Sequence, residues 1–319
     1  MGLDAAQIAC QTTVMTPTDI PQGASTSPDI LCIGSVLWDI VGRADVRMKA
    51  GHDVGGRILR IPGGVVMNIA MTLRGFGFTP ALLTAVGTDP EGDQLIDECM
   101  ARGLITDHVY RTDHPTDVYM AIEGANGLIA AIADAHGLEE AGNAILAALE
   151  DGSLGSVDNL WSGPIALDGN LTEALLTEIA RSPLFSKADL RIAPASPGKA
   201  RRLIPLFAHP KPTLYVNLIE ANLILDAHHE TTARAAEALL TQGAHRVLVT
   251  DGANPTSLAD SSDIITRAPP AVKVVRVTGA GDTVMAAHIS AEHRGLAGEA
   301  ALDFALEAAA KYISTEDIL

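Results

Sequence analysis

Short apolar runs and longer helical stretches alternate along this chain. The short runs are rich in Val, Ile and Leu and are followed by Gly, Pro, Asn or Asp, which is typical of buried strands. The longer stretches contain few Gly or Pro residues, which favours helices. The pattern predicts strands at 30–36, 81–86, 164–167, 190–193, 213–216, 246–250 and 272–277. It predicts helices at 65–73, 93–102, 172–181, 231–242, 283–294 and 298–314.

This alternation predicts an α/β fold in which βαβ units build a mostly parallel sheet with helices on both faces. Apolar residues make up 47% of the chain, which is enough to bury both faces of such a sheet. Ligands of such folds bind at the carboxyl ends of the strands. Asp39, the Thr250-Asp251-Gly252 turn and the turn before Asp282 all follow predicted strands, so we expect them to share one edge.

Two segments break the alternation. Residues 40–61 contain several glycines and no helical period. Residues 116–133 contain two predicted strands, 117–123 and 128–133, joined by Gly124-Ala125-Asn126-Gly127, and Asn-Gly in a short connection is a hairpin signal. Residues 1–28 are rich in Thr, Ser and Pro and are predicted to form a flexible tail, which leaves 29–319 as the main domain.

Composition excludes several classes of partner. The net charge of −17 argues against binding to nucleic acid or to an anionic membrane surface, because both need a basic face. The three cysteines, Cys10, Cys32 and Cys99, show neither a disulfide framework nor zinc-ligand spacing. No apolar run approaches the roughly 18 residues of a membrane span, and no secretory signal is evident, so we expect a cytoplasmic protein.

The most informative motif is the run from Val277 to Asp282, with the sequence VTGAGD, at the start of the predicted helix 283–294. Two glycines around an alanine allow backbone amides at a helix N-terminus to converge on an anion such as a phosphate. Asp282 beside that anion makes chemical sense as a base that takes a proton from an attacking hydroxyl. The alternative is an ordinary tight turn with a carboxylate that favours the helix N-terminus.

The chain resembles the PfkB, or ribokinase-like, carbohydrate and nucleoside kinases. The GAGD run matches the second signature of that family, and PGGVVMNIA at 62–70 corresponds to the first. GSVLWD at 34–39 and NLIE at 217–220 match two further motifs, and the four occur in the family order. The resemblance implies a ribokinase-like three-layer fold with a small β-sheet lid, formed by segments of about 40–61 and 116–133, which keeps water away from the sugar.

The resemblance also implies roles for individual residues. Asp282 corresponds to the catalytic base, and the amides of Gly279, Ala280 and Gly281 would stabilise the transferring group. Asp39 would hold sugar hydroxyls, although a capping carboxylate is its ordinary alternative. The remaining residues implied on the acceptor side are Gly63, Gly64, Asn68, Asp134 and Asn170.

On the nucleotide side, the resemblance implies ATP and Mg²⁺. Glu220 would hold Mg²⁺ through water, with a surface glutamate as its alternative. The residues implied at the nucleotide are Lys199, Asn217, Thr250 and Gly252. The family also implies a monovalent-cation site, but Arg276 stands where many members have aspartate.

Details around the motifs resemble the pseudouridine kinase branch of the family, which implies phosphorylation of the pseudouridine 5′-hydroxyl. The sequence leaves open another sugar or nucleoside kinase and a non-catalytic ligand-binding paralogue. It also leaves open the phosphate donor, because the final helix lacks the Asn that often approaches adenine. Lids of the resembled family often pair between subunits, which implies a homodimer.

Overall fold

The computed structural model describes residues 27–49, 51–125 and 127–315. Cys10, almost all of the predicted tail and Asn126 of the predicted hairpin turn lie outside the described residues. The described chain alternates strands and helices, as predicted. None of the helices in the described ranges is long and apolar enough to cross a membrane.

The strands and helices have the following bounds. The strands are β1 (Ile30–Ile33), β2 (Leu37–Arg43), β3 (Arg57–Gly63), β4 (Pro80–Leu83), β5 (Ala85–Gly87), β6 (Tyr110–Thr112), β7 (Val118–Gly124), β8 (Gly127–Asp134), β9 (Pro164–Asp168), β10 (Asp189–Ala193), β11 (Thr213–Asn217), β12 (Arg246–Asp251), β13 (Asn254–Asp260) and β14 (Ile264–Arg267). The α-helices are α1 (Val65–Gly75), α2 (Pro90–Ala101), α3 (Gly137–Ala141), α4 (Glu173–Arg181), α5 (Leu218–Leu225), α6 (Thr232–Thr241), α7 (Ala280–His293) and α8 (Gly298–Ser314). Short 3-10 helices span Gly142–Leu149, Pro183–Phe185 and Pro197–Ala208.

The central sheet has eight strands in the order β14-β13-β12-β11-β10-β9-β1-β4. The strands from β12 to β4 are parallel, and β13 and β14 add an antiparallel hairpin at one edge. This confirms the predicted mostly parallel sheet. The predicted strand 81–86 is divided at Thr84 into β4 and β5, and β5 pairs with β6 in a separate two-stranded sheet.

The predicted strand at 272–277 is wrong. Its β-branched residues are exposed, with Val277 74% accessible, and they pair with no strand of the described chain. The amides of Val275 and Arg276 instead donate to the carbonyl of Ile313, at the end of α8. The edge position in the sheet is taken by β13 and β14, which the sequence pattern did not predict. A β-branched run is therefore not sufficient for a strand.

Successive residues of the central strands face two different cores. Leu31 and Ile33 pack with α4, α5 and α6, whereas Ile30 and Cys32 pack with α1, α2, α7 and α8. This is the side-chain period of a strand that is buried on both faces. The result is three layers, helix on sheet on helix, as predicted.

Capping side chains explain where several helices begin. Thr172 accepts a hydrogen bond from the Leu175 amide at 3.2 Å at the start of α4. Asp89 accepts from the Gly92 amide at 2.8 Å, so α2 begins at Pro90, three residues before its predicted start. A side-chain oxygen at this position satisfies an amide that has no partner within the helix.

A separate four-stranded sheet has the order β3-β2-β7-β8. It contains the two segments that broke the alternating pattern, with β2 and β7 parallel and hairpins on either side. The sequence did not predict strands in 40–61. β2 begins before this segment, at Leu37, and β3 ends after it, at Gly63. Every residue of β8 with a described side chain is exposed, including Leu128, Ile129 and Ile132.

A polar cluster lies buried between the central sheet and the second half of α7. Glu292 pairs with Arg191 and Arg246, and Tyr215 lies 3.1 Å from Arg191 and 2.8 Å from Nδ1 of the fully buried His288. Burial lowers the pKa of His288 to about 3. Burial raises the pKa of Glu292, but the arginine charges outweigh it and the pKa is lowered. Both groups therefore make the folded state sensitive to acid.

When the pH falls from 7 to 5, we expect proton binding by His288 in the unfolded state to lower the free energy of unfolding by about 2 kcal/mol. The unfolded imidazole binds a proton below its ordinary pKa of about 6.5, whereas the folded one stays neutral until about pH 3. Denaturant unfolding of wild type and His288→Gln at both pH values measures the difference. On acidification, the free energy of unfolding of the variant should fall by about 2 kcal/mol less than that of wild type. His293→Gln, at an exposed position of the same helix, should keep the wild-type dependence. Equal pH dependence in His288→Gln and wild type would contradict this assignment.

Candidate active site

The predicted site residues gather at the carboxyl edge of the central sheet. Asp168 ends β9, Asn217 ends β11, and Thr250 lies opposite Asn217 near the end of β12. Because these strands are parallel, their ends share one edge. Asp282, in the first turn of α7, reaches the same place, since its carboxyl group feels the charges of Asp39 and Asp168.

The loop before α7 presents backbone amides at the helix N-terminus. Gly279 has a φ of +85°, in the left-handed region that favours glycine, and α7 begins at the next residue. The Ala280 amide donates to the Val277 carbonyl at 3.1 Å. The amides of Gly279 and Gly281 donate to no other group in the part of the chain described. Free amides at the positive end of a helix favour an anion.

Asp282 combines partial exposure with a raised pKa. Its Oδ2 accepts a hydrogen bond from Nδ2 of Asn68 at 3.0 Å, which joins α7 to α1. Burial raises the pKa of Asp282 to about 7, the charges of Asp168, Glu220 and Asp39 add to the increase, and the bond from Asn68 opposes it. A carboxyl group with this pKa is partly ionised at neutral pH, which suits proton transfer.

Asp39 lies on β2, in the small sheet. Its carboxyl group packs against Gly63, where a Cβ atom would lie 2.0 Å from Asp39 Oδ2. A Cβ at Gly64, whose φ is +96°, would lie 2.4 Å from the carbonyl oxygen of Ser35. The neighbouring atoms of Asp39 and Ser35 therefore leave no room for a side chain at Gly63 or Gly64. Burial raises the pKa of Asp39 to about 6.

Asp168 is fully buried and joins the loop after β1 to the first turn of α1. Its Oδ2 accepts hydrogen bonds from the amide and hydroxyl of Ser35, at 2.9 and 2.8 Å, and from the Val66 amide at 3.3 Å. Its Oδ1 accepts from the Asn170 amide at 2.8 Å. No role for Asp168 was predicted from the sequence. The available signal was a carboxylate that ends an apolar strand and is followed by Gly-Asn.

Asn170 and Lys199, predicted to contact different ligands, lie together. Nδ2 of Asn170 donates to the Ser35 hydroxyl at 2.7 Å, and its Oδ1 accepts from Lys199 Nζ at 2.8 Å. Lys199 comes from the 3-10 helix Pro197–Ala208. Its ammonium group therefore reaches the same network as the Asp168 carboxylate.

We expect Asp168→Ala to lower the free energy of unfolding by about 3–5 kcal/mol, because it leaves buried donors without their charged acceptor. Denaturant unfolding measures the change. Asp303→Ala is the control, since Asp303 pairs with Arg267 on the surface and such pairs contribute about 1 kcal/mol or less. A loss below about 1 kcal/mol for Asp168→Ala would contradict this role.

Asn217 and Glu220 form a capping box at the start of α5. The Asn217 side chain accepts from the Glu220 amide, and Oε2 of Glu220 accepts from the Asn217 amide, both at 2.9 Å. Burial raises the pKa of Glu220. Its Oε1 accepts no hydrogen bond from the described residues. No group of three or more His, Cys, Asp or Glu residues with metal-ligand geometry occurs in that part of the chain. One free carboxylate oxygen fits Mg²⁺ that retains most of its water.

Two other predicted residues lie outside this hydrogen-bonded cluster. Gly252 is exposed in the turn between β12 and β13, with a φ of +57° and open space at its Cα. Asp134 ends the exposed strand β8 opposite Val118, and β7 separates it from Asp39 on β2. It forms no hydrogen bond with the other predicted residues.

Known proteins share this architecture. The structure of Arabidopsis thaliana ribokinase complexed with ribose and ATP has a TM-score of 0.72 and 20% sequence identity, covering 92% of this chain and 94% of that one. Such likeness establishes the ribokinase-like fold that the sequence predicted. The sequence model of the family described as "pfkB family carbohydrate kinase" matches residues 27–317. The chain therefore belongs to the PfkB family and is a sugar or nucleoside kinase.

Curated relatives do not separate the possible acceptors. Ribokinase of Bacillus subtilis (strain 168) is 28% identical over 88% of this chain and 91% of its own. Pseudouridine kinase of Escherichia coli (strain K12) is 26% identical over 81% of each chain. Because the two identities are similar, they indicate the reaction class and leave the acceptor to direct measurement.

Proposed function

We propose that this protein transfers the γ-phosphoryl group of ATP to a hydroxyl group of a nucleoside or sugar, with Asp282 as the general base. The observation that carries the proposal is a carboxyl group with a pKa of about 7 beside the donor amides of Gly279 and Gly281. The acceptor oxygen forms a bond to the γ-phosphorus while the bond from that phosphorus to the bridging oxygen breaks and ADP leaves. The acceptor proton passes to Asp282.

Backbone amides supply the charge stabilisation in this proposal. The group in transfer carries its negative charge on three equatorial oxygens, and fixed donors at a helix N-terminus face that charge without reorganising. The Gly279 and Gly281 amides are free for this role. The Ala280 amide, already bonded to Val277, contributes through the helix dipole.

On the acceptor side, Asp39 accepts hydrogen bonds from two hydroxyl groups, and Asn68 both holds Asp282 and offers its Oδ1 to the acceptor. Gly63 and Gly64 shape the turn that keeps Asp39 in place. Asn170 and Asp134 are further candidates for the acceptor: Asn170 is connected to the site through Ser35, whereas Asp134 depends on movement of the small sheet.

On the nucleotide side, we assign Asn217, Thr250 and Gly252 to ATP, and Lys199 to its phosphates. Glu220 would hold Mg²⁺ through water, and the ion, when bound with ATP, neutralises phosphate charge. The carboxylates Asp39, Asp168, Glu220 and Asp282 make this edge acidic, so a cation that arrives with ATP also relieves their mutual repulsion.

The proposed acceptor is the 5′-hydroxyl of pseudouridine, giving pseudouridine 5′-phosphate; ribose is the alternative. ADP release with ATP and Mg²⁺ is measured across pseudouridine, uridine, cytidine, adenosine, ribose and fructose 6-phosphate. ³¹P NMR then identifies the ester formed. Turnover confined to pseudouridine supports this acceptor, and turnover on another compound replaces it. Folded protein that binds an acceptor but never releases ADP would contradict the kinase and favour a non-catalytic binding protein.

We further propose that the small sheet acts as a lid over the acceptor and pairs with a second copy of the chain in the cytoplasm. Its edge strand β8 exposes Leu128, Ile129 and Ile132, and Met120 and Ile122 on β7 add to the apolar surface. Apolar surface on an edge strand favours association. Light scattering should report twice the mass of one chain; a strictly monomeric profile would contradict the dimer.

A further inference from the structure

The last turn of α8 contacts the loop that leads into α7. The Tyr312 hydroxyl donates to the Thr278 carbonyl at 3.1 Å. A Cβ atom at Gly279 would lie 2.5 Å from the Tyr312 hydroxyl oxygen, so the aromatic side chain packs directly on the glycine. Tyr312 therefore contacts both the Thr278 carbonyl and Gly279, whose amide is one of the two free donors.

Arg276 holds Tyr312 from its other side. Its guanidinium lies 3.9 Å from the centre of the Tyr312 ring, and its Nε donates to the Tyr312 carbonyl at 3.0 Å. Stacking of a guanidinium on an aromatic ring is favourable because the ring face is negative. The Arg276 amide also donates to the Ile313 carbonyl at 3.2 Å. The segment before the loop is thus attached to the end of α8 through both the backbone and the side chain of Arg276.

The charge of Arg276 has a second consequence. The carbonyls of Thr278, Tyr312 and Ile313 all take part in these contacts, and the last carbonyls of a helix carry its negative dipole end. Backbone carbonyl oxygens are ligands that suit a monovalent cation such as K⁺. Here the Arg276 guanidinium, bonded to the Tyr312 carbonyl, supplies a positive charge at the end of α8.

We propose that Arg276 and Tyr312 are positioning residues that hold the phosphoryl-binding loop in its active shape and that Arg276 makes the reaction independent of a monovalent cation. The inference rests on the proposed function, because the loop is assigned to the transferring group. Burial raises the pKa of Tyr312, the charge of Arg276 opposes the increase, and the charge of Asp282 adds to it. A loop misplaced by about 1 Å can cost 10²-fold in rate.

The chain offers a matched control at the other end of α7. Arg294 also stacks on aromatic rings, at 5.8 Å from Phe76 and 5.5 Å from Phe304, and donates to the Phe76 carbonyl at 3.1 Å. It has the same chemistry as Arg276 but lies at the helix C-terminus, far along the helix from Asp282. Arg294→Met should therefore affect stability and leave kcat within about twofold of wild type.

The experiment measures kcat and both KM values for wild type, Arg276→Met, Tyr312→Phe and Arg294→Met, with and without KCl at constant ionic strength. We expect Arg276→Met to lower kcat by about 10- to 100-fold with smaller changes in KM, and KCl to restore part of the loss. Tyr312→Phe, which keeps the ring but not the hydroxyl group, should lower kcat by about tenfold. Wild-type turnover should be the same with and without KCl.

Amide hydrogen exchange of residues 278–283 gives a readout that needs no turnover. We expect faster exchange there in Arg276→Met and no change in Arg294→Met. Unchanged exchange in Arg276→Met, a kcat within twofold of wild type, or wild-type dependence on KCl would each overturn the proposal. If no acceptor is phosphorylated, faster loop exchange still supports the positioning role, while the proposed function fails separately.

Discussion

Replacing Asp282 with asparagine should lower kcat by about 10²–10⁴-fold, the range expected for loss of a general base. The amide has the same shape as the carboxyl group and keeps a hydrogen-bonding partner for Asn68, but it does not take the acceptor proton. The free amides of Gly279 and Gly281 remain, so ATP and the acceptor should still bind with nearly unchanged affinity. Steady-state kinetics and isothermal titration of both ligands measure the two effects.

Stability separates loss of chemistry from loss of fold in this variant. The folded-state pKa of Asp282, about 7, lies above its unfolded value, so folding is weakened as pH rises between the two and the ionised group opposes folding at neutral pH. Asp282→Asn should therefore unfold no more easily than wild type at pH 7. Asp303→Asn, on the surface of α8, is the kinetic control and should match wild type. A kcat within tenfold of wild type for Asp282→Asn would contradict the assigned role.

Asp39→Ala should lower kcat/KM for the acceptor by about 10²–10⁴-fold, because a carboxylate that accepts two hydroxyl hydrogen bonds contributes about 1.5–3 kcal/mol through each. Binding of ATP alone should be unaffected, since Asp39 lies on β2 in the small sheet and the nucleotide residues end β11 and β12. Acceptor titration and ATP titration on the same variant measure the two affinities.

Asp39→Asn gives the matching stability measurement. Burial raises the pKa of Asp39 to about 6, so its ionised form also opposes folding above that pH. The asparagine variant should be at least as stable as wild type and still bind the acceptor poorly, a combination typical of a functional carboxylate. Equal acceptor affinity in wild type and Asp39→Ala would remove Asp39 from the acceptor site.

The sequence predicted the alternating architecture because strand and helix periods are local properties. It also predicted that Asp39, Thr250 and the GAGD turn share one edge because each follows a strand. Thr250 does lie near the end of β12, but Asp39 lies on β2 in the small sheet, and the run before the GAGD turn is not a strand. Residues of the resembled motifs also meet, as the 3.0 Å hydrogen bond between Asn68 and Asp282 illustrates. Family motifs capture this pairing although the residues lie 214 positions apart.

Contacts that depend on distant elements were not predictable. Asp168 ends an ordinary apolar strand, and only the fold brings it the donors of Ser35 and Val66, which lie more than 100 positions away in the sequence. The run 272–277 has strand composition, but its amides bond to Ile313 instead. Arg276 was evident as a departure from the resembled family, whereas its stacking on Tyr312 depends on how α8 ends. In each case tertiary packing decides what local composition leaves open.

The pH dependence of kcat/KM for the acceptor tests the role of Asp282 in the wild-type enzyme, because it reports the ionisation of the base before the acceptor binds and needs no variant. With MgATP saturating and the best acceptor at low concentration, the account predicts that kcat/KM rises tenfold per pH unit at low pH and levels off with an apparent pKa near 7. Ionisation of Asp39 steepens the rise below about pH 6. A profile that stays flat from pH 5.5 to 8.5 would contradict Asp282 as a base with a raised pKa.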